Sequence, residues 1–182
     1  MLRYYSPAGA LLPLGWPAVH ETTIRLRPAR GEDRMALGRL LTAAGVSRTG
    51  LQPQPGGVYV LERGVLPIDR GDLLGCVVVE HAARVALLHS LVVTPDALDQ
   101  GHDALLLDLA LKIAYEGGAE EALLLVETAA QVPATRLDSV PWAHVRACFP
   151  TSALVRELSA FDTTAMAVRM ALPTLNRAKR LQ

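Results

Sequence analysis

One stretch constrains this chain more than any other: Arg84 to Glu116, RVALLHSLVVTPDALDQGHDALLLDLALKIAYE. It opens with an apolar run, Val85 to Val93, rich in Val and Leu. A run so short and so apolar suits a strand buried on both faces of a sheet. Pro95 stops it, and a polar turn from Asp96 to Asp103 follows. From Ala104 the spacing becomes helical, with Leu106, Ala110, Ile113 and Ala114, together with Leu107 and Leu111, on a broad buried face. Asp108 and Lys112 are placed to pair at i,i+4 on the wet side. The centre of the protein is therefore a strand, a tight turn and a helix N-terminus. Free amides and the helix dipole make such a turn a natural seat for an anion.

The remaining chain supplies one domain around this unit. At 182 residues it is long enough for a full core and short for two. Lys and Arg number 18, as do Asp and Glu, so nothing points to nucleic acid as a partner. The two cysteines, Cys76 and Cys148, lie in apolar stretches and read as reduced core residues of a cytoplasmic protein. No apolar run approaches the roughly 20 residues of a membrane helix. Residues 1–21 form an arm whose apolar patch, with Leu11, Leu12, Leu14 and Trp16, is broken by Pro13, Gly15 and Pro17. No small-residue cleavage site follows, so an arm is expected rather than a leader. Its exposed apolar side chains would need cover, and a homodimer is expected to provide it.

Residues 22–172 read as the domain and 173–182 as a basic tail. Thr22 to Arg27 alternates as a half-buried strand; Gly31 to Ala44 reads as a helix with acidic residues at its start. Thr49 to Gly57, rich in Gly and Pro, reads as a flexible loop. Val58 to Arg63 and Leu73 to His81 are two strands of a meander that leads, through a turn at Ala82 and Ala83, into the central strand. After the helix terminator Gly117–Gly118 come a buried strand, Ala122 to Val126, and a short helix, Thr128 to Arg136. His144 to Cys148 reads as a strand, Ser152 to Leu158 as helical turns and Thr164 to Met170 as a closing strand.

This order, and above all LLHSLVVTPDALDQGHDALLLDLALKIA, resembles the GNAT superfamily of N-acetyltransferases over Thr22 to Met170. The resemblance implies an α/β fold with a mixed, mostly antiparallel sheet of about seven strands. It also implies transfer of an acetyl group from acetyl-CoA to a small amine. Backbone groups of Leu91, Val92 and Val93 would pair with the pantetheine, and turn amides at Gly101, His102 and Ala104 would hold the pyrophosphate. The family turn is R/Q-x-x-G-x-G/A. Here Leu98 stands in place of the Arg or Gln, Asp99 at a position usually glycine, and Asp103 in place of the second small residue. Either Asp could cap the helix and consume the amides that a phosphate needs. A like-charge repulsion near 4 Å costs about 1 kcal/mol in water and about 4 at an effective dielectric of 20. Weak acetyl-CoA binding is expected. The family's sulphur-facing tyrosine or asparagine is also missing from TAAQVPATRLDSVPW, and the four tyrosines all lie at or before Tyr115.

Three residues stand as candidate bases. His89, placed by alternation on the side of Leu87 and Leu91, reads either as a base near the acetyl group or as a hydrogen-bonded core histidine. Glu80, next to His81 at a strand end, could deprotonate an amine through water or be a strand-end charge. Glu127, at the end of the next strand, reads equally as an acceptor-site carboxylate or a strand-end charge, and Thr128 as an acceptor contact or a cap. His102 with Asp99 and Asp103 lacks a third strong ligand, so no metal is expected. Two function classes follow: an N-acetyltransferase, or a GNAT-like scaffold or small-ligand binder that has lost the donor site.

Overall fold

The computed structural model describes residues 22–51, 56–65, 71–126, 139–160, 166–170 and 172. The arm 1–21, the short helix expected at Thr128 to Arg136, Glu127, Thr128 and the basic tail lie outside them. Seven strands form a single sheet: β1 (Thr22–Pro28), β2 (Gly56–Val65), β3 (Asp72–Ala82), β4 (Val85–Val93), β5 (Glu121–Val126), β6 (Ser139–Val140) and β7 (Met166–Met170). Their order is β1-β2-β3-β4-β5-β7-β6, and only β4 and β5 run parallel. The mixed, mostly antiparallel seven-stranded sheet is the one expected.

Among the described residues five α-helices cover it: α1 (Arg34–Ala43), α2 (Pro95–Leu98), α3 (His102–Glu116), α4 (Trp142–Cys148) and α5 (Ala153–Ala160). Alternation along β5 shows why both faces must be covered. Leu124 and Val126 pack under α3 with Leu88, Leu106, Ala110 and Ala114, while Leu123 and Leu125 pack under α4 and α5 with Leu87, Val145 and Leu154. A third cluster seats Leu37 and Leu41 of α1 on Val60, Cys76 and Val92. Burial pushes the Cys76 thiol up to about 12, so it stays a neutral core group.

Four local expectations are corrected. His144 to Cys148 is part of the helix α4, not a strand, because Val145 and Phe149 bury one helical turn apart. The polar turn after Pro95 contains a helical turn, α2, capped by Thr94 Oγ1 accepting from the Ala97 amide at 3.4 Å. Lys112 pairs at 3.8 Å with Glu116 rather than Asp108. The ends of the expected flexible loop are ordered, Thr49 to Leu51 in a 3-10 turn (Arg48–Leu51) and Gly56–Gly57 in β2.

The open edge of the sheet is fastened by charge. Glu62 of β2 is only 1% exposed and lies between Arg25 and Arg27 of β1, accepting from Arg27 Nε at 2.8 Å. Arg27 also forks onto Asp33 at 2.7 and 3.0 Å, which ties β1 to the start of α1. The Arg27 hydrogen bonds hold the Asp33 carboxyl below its ordinary range against the opposing effect of burial. Burial alone would raise Glu62, but its bonds from Arg25 and Arg27 outweigh that and hold it low as well.

Carboxylates with depressed folded-state pKa values contribute stability that is present above the ordinary carboxylate range and is lost as pH falls through their folded values. Urea midpoints are therefore expected to stay level down to about pH 5 and to fall below about pH 4. Glu62→Gln should lower stability at neutral pH and flatten that acid slope. An unchanged slope in the variant would show that the clamp does not carry it.

Candidate functional site

Ser90 decides the shape of the site. Across from β3, Val92 pairs with Cys76 and His89 with Val78, so two residues of β4, Ser90 and Leu91, oppose Val77 alone. This is a β-bulge, and it holds Ser90 at φ +49°, a left-handed conformation that L-residues rarely adopt. The extra residue turns the strand. His89 and Ser90 point to the α1 face, and Leu91 packs with the α3 cluster. The expected alternation is thus broken: His89 shares a side with Leu87 but not with Leu91.

On its other side β4 pairs with β5 only from Val85–Glu121 to Leu88–Leu124. Beyond Leu88 no ladder joins the two strands, while β5 continues along β7 to Val126–Met166. Among the described residues the β5-side edge of Leu91, Val92 and Val93 has no ladder partner. At that end Gly101 forms the N-cap of α3 at φ +71°, a conformation that suits glycine. The amides of His102, Asp103 and Ala104 make no hydrogen bond among the described residues. Neither Asp99 nor Asp103 caps them: Asp99 instead closes α2, its own amide bonded to Pro95 O at 3.1 Å, and Asp103 has already entered the helix. The expected carboxylate cap is overturned.

Arg63 of β2, which the sequence did not single out, reaches this turn and donates from Nη2 to Gln100 Oε1 at 2.9 Å. It brings a cation to a turn that has Leu98, 53% exposed, in the position of the family's Arg or Gln. His102 is 8% exposed, and its Nδ1 has no hydrogen-bond partner among the described residues.

Two of the three candidate bases come together, and the third, Glu127, lies outside the described residues. Glu80 and His89 meet inside the protein, with His89 Nε2 2.8 Å from Glu80 Oε1. Ser152 at the start of α5 donates from Oγ to the same Oε1 at 2.7 Å, and its Oγ accepts the Val155 amide. His89 Nδ1 lies 3.1 Å from Ser90 Oγ. Both nitrogens of His89 thus have a partner within hydrogen-bond distance, and the ring is fully buried. Glu80 spends Oε1 on two partners, and among the described residues its Oε2 has no hydrogen bond. A Cβ on Gly50 would stand 2.7 Å from Ser90 Oγ, so only glycine lets the 3-10 turn close over the cluster. His81 turns away and packs on Gly117 at the far end of α3, its pKa lowered by burial. Among the described residues no three His, Cys, Asp or Glu side chains converge on a metal position, and no helix is long and apolar enough to cross a membrane.

Removing one partner from this buried network is expected to be costly, because it strands the other. His89→Ala should destabilise the fold by about 3–5 kcal/mol, and Ser152→Ala by about 1–3 kcal/mol. Urea denaturation checks both. A loss below about 1 kcal/mol for His89→Ala would mean that water replaces the imidazole and the network is open.

No protein-family model and no curated protein matches this sequence. Solved structures do match it. N-acetylglutamate synthase from Neisseria gonorrhoeae, complexed with coenzyme A and N-acetyl-glutamate, superposes with TM-score 0.61 at 19% identity over 84% of this chain, which spans 36% of that one. A GNAT-family acetyltransferase from Staphylococcus aureus Mu50 gives TM-score 0.62 at 10% identity, over 83% of this chain and all of the other (100%). Rv2747 from Mycobacterium tuberculosis, in complex with CoA, gives 0.54 at 14% identity, over 82% and 99%. With the sheet order, the bulged β4 and the open turn before α3, these likenesses mean that the chain has the fold of the GNAT acetyltransferases.

Proposed function

We propose that the protein transfers an acetyl group from acetyl-CoA to a small amine. The observation that carries this reading is the set of three unpaired amides at His102, Asp103 and Ala104, next to the open edge of Leu91 to Val93. Pantetheine amides can extend the β4 edge as an added strand would, and the pyrophosphate can take the helix amides. Arg63 offsets part of the charge of Asp99 and Asp103, which makes the donor site weak rather than closed.

In the chemical step the amine nitrogen attacks the thioester carbonyl, the C–S bond breaks, and the departing thiolate regains a proton. Backbone N–H groups of β4 polarise the carbonyl oxygen. Glu80 takes the ammonium proton at Oε2 through a water molecule, held in place by His89 and Ser152. Glu127, the residue after Val126 in the chain, is the alternative base. The reading also takes the protein as a cytoplasmic homodimer, from its unpaired cysteines and the apolar arm 1–21. A monomer by light scattering at tens of micromolar would count against the dimer.

Leu98 and the two carboxylates favour a second reading, a GNAT-fold scaffold without a donor. One measurement separates the two. A ligand at about 100 times its Kd stabilises the native state by about 2.7 kcal/mol, which raises Tm by several degrees in a domain of this size. Acetyl-CoA at millimolar concentration should give a saturable rise, larger in Leu98→Arg and smaller in Arg63→Ala. No rise in either the native chain or Leu98→Arg would favour the scaffold.

A further inference from the structure

A cavity of about 550 Å³ opens beside α1, lined by Arg30, Arg34, Arg48 and Thr49 over the apolar floor of Leu37 and Val58. Among the described residues no carboxylate lines it. The Arg30 side chain meets Glu32 at 3.8 Å, and among the described residues the side chains of Arg34 and Arg48 have neither an ion pair nor a hydrogen bond. Arg48 is nonetheless held in place. Its guanidinium lies over Gly38, where a Cβ would stand 2.7 Å from Nη2. Arg34 and Gly38 are one turn apart on α1, so the two guanidiniums share a helix face. Like charges gathered in this way repel one another until an anion joins them, and the planar guanidinium fork matches carboxylate and phosphate oxygens.

Position links the cavity to the candidate site. The 3-10 turn that sends Arg48, Thr49 and Leu51 into the cavity presses Gly50 onto His89 and Ser90. The cavity therefore lies on Glu80's face of the sheet, one residue from the buried network. Its volume suits a small metabolite rather than a macromolecule. We infer that it seats the anionic end, a carboxylate or a phosphate, of the amine acceptor. The word acceptor rests on the acetyl-transfer reading; the anion does not.

The test uses the full chain without acetyl-CoA, by thermal shift and calorimetry, with citrate, L-glutamate, inorganic phosphate and the neutral-ended amine ethanolamine as probes. At least one anion should give a saturable rise in Tm that ethanolamine does not. A carboxylate response without a phosphate response assigns a carboxylate ligand, and the reverse assigns a phosphate. Arg34→Ala and Arg48→Ala should each weaken binding by about tenfold or more. Gly38→Ala removes no charge and favours the helix, yet should weaken binding as well, because its Cβ displaces the Arg48 guanidinium. Absence of a saturable response to all three anions would overturn the inference. So would equal responses in the native chain and the Arg34→Ala/Arg48→Ala double variant, which would mark a general salt effect. Acetyl-CoA titrated in parallel reports on the donor reading separately: anion binding without donor binding removes the word acceptor and leaves the anion site standing.

Discussion

The end of pairing between β4 and β5 is the constraint on which the rest of the site depends. Two parallel strands held together as far as Leu88 and Leu124 are then released, and each is kept by its other neighbour. The bulge at Ser90 marks the release. It inserts one residue against Val77, increases local twist and changes which side chains face α1. Without it, Leu91 would face α1 and the backbone beyond His89 would have no reason to leave the ladder. A strained residue at such a position is a useful one, since the surrounding structure must over-determine it to keep it there.

The polar network under the bulge supplies that over-determination. Glu80 is 2% exposed, Ser90 2% and Ser152 1%, yet each has its partner. The network joins β3, β4 and the start of α5, and Gly50 adds the 3-10 turn after α1. Buried ionisable groups are poor sources of net stability, but removing one partner from such a group is severe. The arrangement therefore fixes geometry more than it adds free energy. It places a carboxylate, one oxygen of which has no hydrogen bond among the described residues, on the same face as the arginine-lined cavity.

Charge is distributed differently at the two ends of the site. At the turn before α3 the side chains of Asp99 and Asp103 oppose an anion while the amides and Arg63 attract one. Beside α1 no carboxylate among the described residues lines the cavity with the arginines. An enzyme of this form would hold its acceptor more by charge and its donor more by backbone.

Much of this fold was legible in the sequence, because hydrophobic period is a local property that needs no knowledge of distant residues. Val85 to Val93 and Ala122 to Val126 read as strands buried on both faces, and Leu106, Ala110 and Ala114 as a buried helix stripe, and the structure has these elements. The turn motif, with its single glycine at Gly101, was equally plain. The chain alone did not decide whether Asp99 and Asp103 would cap α3. Capping depends on where a carboxylate lies relative to three amides, and the unexpected helical turn α2 carried Asp99 away from them. Nor could alternation reveal the bulge, since a bulge is a mismatch between two strands and exists only once both are paired. Glu80 and His89 were singled out one at a time. Only tertiary structure brought them to 2.8 Å and added Ser152 from 72 residues away, because a buried polar group takes its partners from whatever element packs beside it, at any distance along the chain.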